Sequence, residues 1–304
     1  MTFSIVARDP ETGELGVASQ SHYFALGRVV TFAQAGVGVV ATQSFVEPSY
    51  GPDGLAQMAA GAPAEQALST LLGRDDDREL RQVAFIDASG GTSMFTGSRC
   101  VPAKGQLCDD GVVVLGNMLA GAGVVPAMLE AYRCAAGPLA ERILASLDAA
   151  EAAGGDARGR MAASLVIVSG EAGERPWSNR LIDVRVDDHP APLTELRRLV
   201  ELSGAHRIMG SSVFTPGLLS AQSPTSGDAL ADAVTALDAA QSVIGTDPEP
   251  TFWKGVLRLR AGDTAGGAAF IRQAVAARPR YRAFVDSLQS VGILPCGAKE
   301  LLDG

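Results

Sequence analysis

Paired strands separated by paired helices are the feature that most constrains the fold of this chain. Residues 2–8 and 14–21 predict a hairpin, because the turn between them holds a proline that presets φ and a glycine that permits the reversal. Residues 28–35 and 37–44 predict a second strand pair, and their nearly continuous apolar character indicates burial on both faces. The chain therefore begins with four short strands that pair locally.

Helical patterns come in pairs between the later strands. Residues 55–60 and 64–72 predict one pair after a break at 50–54, and residues 123–135 and 138–153 predict a second pair. Further strands are predicted at residues 81–87, 93–96, 112–118, 161–169 and 180–186. This order predicts an α+β domain of two stacked sheets with helices on both outer sides. A doubly wound parallel sheet is disfavoured, because it would alternate single strands with single helices.

The charge and composition of the chain exclude several classes of function. The net charge is −9 and no basic stripe is present, so the sequence predicts no nucleic-acid binding. No apolar run is long enough for a membrane span, and the N-terminus lacks the pattern of a signal peptide, which predicts a cytoplasmic protein without a membrane partner. The four cysteines and three histidines show no spacing typical of a metal site, so no metal is expected.

The composition changes after the last predicted strand, which indicates a second domain. Residues 1–204 form the predicted large domain, residues 205–227 are rich in Ser, Gly and Pro and predict a linker, and residues 228–304 predict an all-helical C-terminal domain. In the last region, Trp253 and Leu257 contribute to an apolar pattern similar to a tetratricopeptide-type helix pair. A lone pair cannot bury its own faces, so we expect it to pack on the adjacent helices.

Thr2 can supply a nucleophile and a base from a single residue. A Thr that follows the initiator Met is small enough for methionine aminopeptidase to expose it. The exposed residue would carry a hydroxyl and an α-amine with a pKa near ~8, which accepts the hydroxyl proton at neutral pH. Thr2 is therefore a candidate catalytic nucleophile.

Several short motifs of this chain resemble the domain of unknown function 1028 (DUF1028) family. The motifs are Thr2-Phe3-Ser4-Ile5-Val6-Ala7-Arg8-Asp9, Gly16-Val17-Ala18, Gly36-Val37-Gly38, Ala41-Thr42-Gln43, Ser49-Tyr50-Gly51, Gly116-Asn117 and Gly155-Asp156-Ala157-Arg158-Gly159-Arg160. The resemblance covers roughly residues 2–190 and implies membership of the N-terminal-nucleophile (Ntn) hydrolase superfamily. It therefore implies a four-layer αββα sandwich, in agreement with the element order. The C-terminal helices are similar to an extension of some members that is labelled peptidoglycan-binding, although they favour a packing or protein-interaction module.

The resemblance implies an amidohydrolase that acts on a small amide or an acylated amino acid. Thr2 would attack the carbonyl, and water would clear the acyl-enzyme without a metal or organic cofactor. The resemblance also implies a homo-oligomer that associates through the outer helices. The alternative is a non-catalytic Ntn-fold scaffold that binds a ligand or a protein, because the Lys and the carboxylate that proteasome-like relatives hold near the nucleophile do not occur at the matching positions here.

The resemblance also suggests further site residues near the ends of four strands. Ser4 is the alternative nucleophile if three residues are removed, and Ser19 or Ser21 is expected to hydrogen-bond the amine. Gln43 ends the fourth strand, where backbone N–H groups near a helix start suit an oxyanion. Asn117 is expected to be a directed donor after Gly116, which permits close approach.

The Asp156 segment is the strongest internal motif. Asp156 is expected to hold the N-terminal ammonium or Ser4, and Arg158 or Arg160 is expected to grip a substrate carboxylate with two hydrogen bonds. The alternative interpretation is a capped helix end with an Asp–Arg pair on the surface.

Overall fold

Strands and helices alternate in pairs in the computed structural model, which describes residues 2–174, 179–214 and 227–303. The strands of this region are β1 (Thr2–Arg8), β2 (Leu15–Ser21), β3 (Thr31–Gln34), β4 (Gly38–Ser44), β5 (Arg81–Asp87), β6 (Thr92–Thr96), β7 (Gly105–Asp109), β8 (Val112–Asn117), β9 (Ala162–Val168) and β10 (Arg180–Val186). The helices that accompany them are α1 (Tyr50–Ala59), α2 (Ala64–Leu72), α3 (Val124–Cys134), α4 (Leu139–Ala152) and α5 (Pro192–Val213). The predicted α+β class is confirmed.

The strands form two antiparallel sheets that face each other. One sheet has the order β10-β9-β2-β1-β8-β7 and the other has the order β3-β4-β5-β6. An apolar core between them is built from side chains of both sheets, including Val6, Val17, Val39 and Ile86. Helices α1 and α2 cover the opposite face of the smaller sheet, while α3, α4 and the first part of α5 cover that of the larger sheet. The central strands of each sheet are therefore buried on both faces.

The alternation of side chains along β1 determines what lies between the sheets. Phe3 and Ile5 are fully buried against the helices of the larger sheet, while Val6 belongs to the core between the sheets. Because side chains alternate with a period of two, Thr2 and Ser4 share the face of Val6. The start of β1 thus brings two hydroxyl groups between the sheets.

Three elements differ from the sequence prediction. Strand β3 begins at Thr31 rather than at residue 28, because a short 3-10 helix occupies Leu26–Arg28, and the strand is only partly buried. Helix α1 begins at Tyr50, although residues 50–54 were expected to form a break. A Cβ atom added to Gly51 would lie 2.2 Å from Phe32, so the glycine permits close packing on the sheet rather than a chain reversal. Strand β7 was not predicted, because its half-exposed, polar sequence lacks the apolar signal of a buried strand.

The contacts divide the chain into two units, Met1–Val200 and Glu201–Gly304. The second unit contains the end of α5 and the helices α6 (Gly227–Ile244), α7 (Glu249–Arg260), α8 (Thr264–Ala277), α9 (Tyr281–Ser290) and α10 (Ala298–Asp303). Its largest core cluster surrounds Phe252, Val256 and Ile271, and the resemblance of α7 and α8 to a tetratricopeptide pair stays a prediction. None of the helices within the described ranges has the length and apolar character needed to cross a bilayer.

The predicted linker at 205–227 is helical in its first part. Helix α5 continues to Val213, because Ala205, Met209 and Val213 recur at four-residue spacing and are buried with Leu237 of α6. Residues 215–226 of the predicted linker lie outside the described residues. The Ser and Gly residues at the end of α5 favoured a linker, although the buried residues Ala205, Met209 and Val213 have helical spacing.

Candidate active site

The core between the sheets changes from apolar to polar at one end. Along β4, Val39 and Ala41 are followed on the same face by Gln43, and along β5, Gln82 precedes Ala84. The buried polar residues at this end are Thr2, Ser4, Ser19, Ser21, Gln43, Gln82 and Asn117. Buried polar groups are costly unless they are hydrogen-bonded, so this cluster requires a local network.

Thr2 lies where this polar end meets a pocket. On the neighbouring strands, Thr2 is opposite Ser21 of β2 and Asn117 of β8. Its hydroxyl donates to Ser21 Oγ at 3.1 Å. Both residues line a pocket of about 190 Å³, together with Gln43 and Arg158. The candidate nucleophile is therefore accessible to a small ligand although it is largely buried.

Ser4, the alternative nucleophile, lies deeper. Its hydroxyl oxygen is 2.5 Å from Ser19 Oγ, and the hydroxyl donates to Gln43 Oε1. Ser4 and Ser19 are fully buried, and neither lines the pocket that contains Thr2. These contacts give Ser4 and Ser19 the role of supporting Gln43 beneath the pocket.

Gln82 is the centre of the network, and sequence reasoning missed it. Its amide nitrogen donates to Thr96 Oγ1 at 2.9 Å and to the carbonyl oxygens of Gly105 and Gly116 at 3.1 and 2.9 Å. Its side-chain oxygen accepts from Gln43 Nε2 at 2.7 Å and from Asn117 Nδ2 at 3.0 Å. The signal that could have identified Gln82 is its spacing, because a polar residue two positions before Ala84 and four before Ile86 shares their face of the strand.

The amides of Gln43 and Asn117 do not donate into the pocket. Gln43 Nε2 donates to Gln82 and, at 3.2 Å, to the backbone carbonyl of Thr2. Asn117 Nδ2 donates to Gln82, while its Oδ1 atom is buried without a hydrogen-bond partner in the described structure. Both side-chain amides are thus committed to partners within the protein, because Gln43 holds the start of β1 and Asn117 holds Gln82. The oxyanion role of backbone N–H groups near Gln43 stays a prediction.

Ser44 and Met118 line the pocket in a strained backbone conformation. Their φ angles are 75° and 53°, in the left-handed region that non-glycine residues seldom adopt. The Ser44 hydroxyl oxygen is buried and has no hydrogen-bond partner within the described residues. Strain of this kind costs of order 1–3 kcal/mol and concentrates at functional sites. Ser44 therefore lines the pocket and carries a hydroxyl that has no partner within the described residues.

Asp156 connects to Thr2 through Arg158 and Ser21. Its carboxylate accepts the backbone N–H groups of His22 and Arg158, each at 2.8 Å, and pairs with the Arg158 guanidinium at 3.2 Å. Arg158 Nη2 also lies 3.5 Å from Ser21 Oγ, which accepts from Thr2. Asp156 is thus buried near Thr2 without contacting it, and it positions Arg158 at the pocket.

Arg160 does not line the pocket that contains Thr2. It pairs with Glu151, and both residues line a separate cavity of about 250 Å³ beside the start of α5. Gln20 also lines that cavity and donates to Glu151 at 2.5 Å. The sequence predicts that Arg158 or Arg160 binds a substrate carboxylate, and of these two side chains Arg158 lines the pocket of Thr2.

Comparison with known proteins identifies the family of this chain. The model of the family of unknown function DUF1028 matches residues 2–196. The chain belongs to the DUF1028 family. A crystal structure of the DUF1028 protein SPO2555 from Silicibacter pomeroyi is 31% identical, with a TM-score of 0.59, and the match covers 65% of this chain and 87% of that one. No curated protein is similar enough to count as a match.

All the pocket residues of this DUF1028 protein lie in the matched region, whereas residues 197–304 lie outside it. The region thus carries the polar network, Ser44 and the Asp156–Arg158 pair. In the ranges that the structure describes, no group of three His, Cys, Asp or Glu side chains is arranged to hold a metal ion. The Thr2 pocket itself is lined by residues that carry hydroxyl, amide and guanidinium groups.

Proposed function

We propose that this protein is an N-terminal-nucleophile amidohydrolase that cleaves a small amide or an acylated amino acid. The observation that carries the proposal is the position of Thr2. It is the first residue of β1, it lines a pocket, and its hydroxyl is hydrogen-bonded to Ser21. Thr2 also lies within the region that the family model matches.

The fold agrees with this proposal. Two antiparallel sheets face each other and each is covered by helices on its other face. We take this to be the four-layer αββα sandwich of the Ntn-hydrolase superfamily. In such a sandwich a strand that begins at the nucleophile delivers the α-amine and the hydroxyl together to one end of the core.

The proposed reaction needs the residue before Thr2 to be removed, which frees the α-amine. Thr2 Oγ1 attacks the amide carbon of the substrate while its proton moves to the α-amine. The tetrahedral intermediate collapses, the C–N bond breaks, and the leaving amine takes that proton. Water then attacks the Thr2 ester with the α-amine again as base, and the C–O bond breaks to release the carboxylic acid and restore the hydroxyl.

Ser21 and Ser44 have distinct roles in this scheme. Ser21 holds the Thr2 hydroxyl oxygen at the pocket through a 3.1 Å hydrogen bond. Ser44 would donate its unused hydroxyl to the oxyanion of the tetrahedral intermediate, in the way that preorganised donors stabilise such charge. The scheme uses no metal and no organic cofactor.

The mass of the purified protein and its activity test the proposal together. We expect the intact mass to correspond to a chain that begins at Thr2, and we expect hydrolysis within a panel of N-acetyl amino acids and p-nitroanilides. Thr2→Ala should abolish turnover, whereas Thr2→Ser should retain part of it because the nucleophile and the amine persist. A mature protein that keeps a residue before Thr2, or an active Thr2→Ala variant, would refute the assignment.

The alternative function is a non-catalytic scaffold that binds a small molecule or a protein. The observation that favours it is the absence of Lys, Asp and Glu among the described residues that line the Thr2 pocket. Ligand binding without turnover by a chain that begins at Thr2 would support this alternative.

A further inference from the structure

The pocket beside Thr2 has two chemically different parts. Val29, Val30, Val46 and Met118 give it apolar walls. Arg158 is the only charged side chain among the described residues that line it. A ligand that fits both parts carries an apolar group and a negative charge.

The Asp156–Arg158 pair presents its positive partner to the pocket. The side chain of Asp156 is 1% exposed and that of Arg158 is 41% exposed. The carboxylate is already satisfied by the N–H groups of His22 and Arg158 and by the guanidinium. A planar guanidinium held from behind in this way matches the geometry of a carboxylate.

Two aromatic rings stand at the mouth of the pocket. Tyr23 and Phe45 line it and are 52% and 51% exposed. Within the part of the chain that the structure describes, neither ring stacks on another aromatic ring, whereas the aromatic side chains of α7 and α9 pack together. Exposed aromatic surface beside a pocket is typical of a binding site, because a ligand ring that covers it gains apolar contact.

From these three features we propose that the pocket selects N-acylated aromatic amino acids with a free carboxylate. Arg158 binds the carboxylate, and Tyr23 and Phe45 hold the aromatic side chain while the amide faces Thr2. This substrate class rests on the proposed function, which supplies the cleavage step. The products are then a carboxylic acid and an aromatic amino acid.

Binding can be measured without turnover in the Thr2→Ala variant of the full chain. Isothermal titration calorimetry would compare N-acetyl-L-phenylalanine with N-acetyl-L-phenylalaninamide, which lacks the carboxylate, and with N-acetylglycine, which lacks the ring. We expect the first compound to bind at least about tenfold more tightly than either of the others. Equal affinity for the amide would overturn the role of Arg158, and equal affinity for N-acetylglycine would overturn that of the rings.

Second substitutions identify the side chains responsible. Adding Arg158→Gln should remove the preference for the carboxylate, and adding Phe45→Ala should reduce the preference for the ring. Arg160→Gln is the matched control and should change neither, because Arg160 lines a separate cavity. If none of the compounds binds, the substrate class is wrong.

The two proposals fail in different ways. Selective binding of N-acetyl-L-phenylalanine without hydrolysis by the unsubstituted protein would leave the selectivity intact and remove the amidohydrolase function. Hydrolysis of all three compounds at similar rates would support the amidohydrolase function and overturn the selectivity.

Discussion

Gln43 donates its side-chain amide to Gln82 at 2.7 Å, and the two glutamines lie opposite each other on β4 and β5. Gln82 can accept this bond because its own amide nitrogen is committed to Thr96 and to two backbone carbonyl groups. The orientation of both side chains is thereby fixed. Gln43 then donates to the backbone carbonyl of Thr2. The position of the candidate nucleophile on β1 therefore depends on Gln82, which lies on β5 in the other sheet.

Gln82→Glu tests this dependence with little change of shape. A carboxylate cannot donate to Thr96, Gly105 and Gly116, so buried acceptors lose their partner and a charge is buried. We expect the free energy of unfolding to fall by about 1–3 kcal/mol and the activity to fall with it. Chemical denaturation provides the measurement, and Gln66→Glu on the exposed face of α2 provides the control. Unchanged stability would mean that the network does not hold this end of the core.

Ser44 allows backbone strain and hydroxyl chemistry to be separated. Ser44→Ala and Ser44→Gly both remove the hydroxyl, but only glycine adopts φ 75° without strain. We expect both variants to lose about 10²–10³-fold in kcat, because each lacks the oxyanion donor. The glycine variant should unfold at a temperature no lower than the alanine variant.

Ala103→Gly is the control for Ser44, because Ala103 also has a positive φ and does not line the Thr2 pocket. It should leave kcat unchanged. An active Ser44→Gly enzyme would show that the hydroxyl takes no part in the reaction.

Asp156→Asn should weaken the anchoring of Arg158. The amide keeps an acceptor for the N–H of His22 but loses the ion pair with the guanidinium. We therefore expect KM for a carboxylate substrate to rise by at least about tenfold with a smaller effect on kcat. Steady-state kinetics provides the measurement, with Asp110→Asn on the surface as control. A loss of about 10²-fold confined to kcat would instead assign Asp156 to the chemical step.

Asp87 makes stability depend on pH below neutrality. Burial alone would raise its pKa, but the Ser89 hydroxyl and the backbone N–H groups of Ala64, Gly91 and Ser89 outweigh this and hold the pKa below its usual value. A depressed pKa in the folded state stabilises the protein above the unfolded pKa of about 3.9, and this stability is lost as the pH falls through the folded value.

Asp87→Asn should consequently lower the free energy of unfolding by about 1–3 kcal/mol at pH 7, because the charged acceptor at the start of α2 is lost. Below pH ~4 its stability should fall less steeply than that of the unsubstituted protein. Denaturation at pH 7 and pH 3 measures both effects. Asp76→Asn, which changes an exposed carboxylate, should retain the original profile, and a parallel profile for Asp87→Asn would contradict the assignment.

Helix α5 contributes to both units, and shortened chains test where the first unit ends. Leu193, Leu196 and Val200 are buried in the core of the larger sheet. A chain that ends after Ser203 should therefore unfold cooperatively, whereas a chain that ends after His189 loses three buried side chains worth roughly 1.5–3 kcal/mol each. Thermal unfolding followed by circular dichroism distinguishes the two. A cooperative transition in the shorter chain would show that α5 is dispensable.

Elements with a local signal could be predicted from the sequence. Strand β1 and helix α2 have the predicted bounds, because polar and apolar residues alternate at the start of the strand and the residues Pro63 and Gly73 flank the helix. The order of paired strands and paired helices also holds. These features depend on neighbours in the chain, which a single sequence displays.

Features that depend on distant contacts could not be predicted. The role of Gly51 depends on Phe32 of another element, and the role of Gln82 requires knowing that β5 faces β1 across the core. Arg158 and Arg160 look equivalent in sequence, but their side chains reach different cavities. The sequence therefore predicts candidate residues for a site, while the contact that each side chain makes is seen only in the structure.

The alternation of side chains along β1 determines which residues face the pocket end of the core. Phe3 and Ile5 are fixed in the helix-covered core, so Thr2 and Ser4 are fixed between the sheets. Inserting or deleting one residue between Thr2 and Ile5 would exchange the two faces, presenting a hydrophobic side chain to the pocket and a hydroxyl to the core. A side-chain substitution at this end changes the contacts of one residue, whereas a change of length by one residue changes the contacts of the whole start of β1.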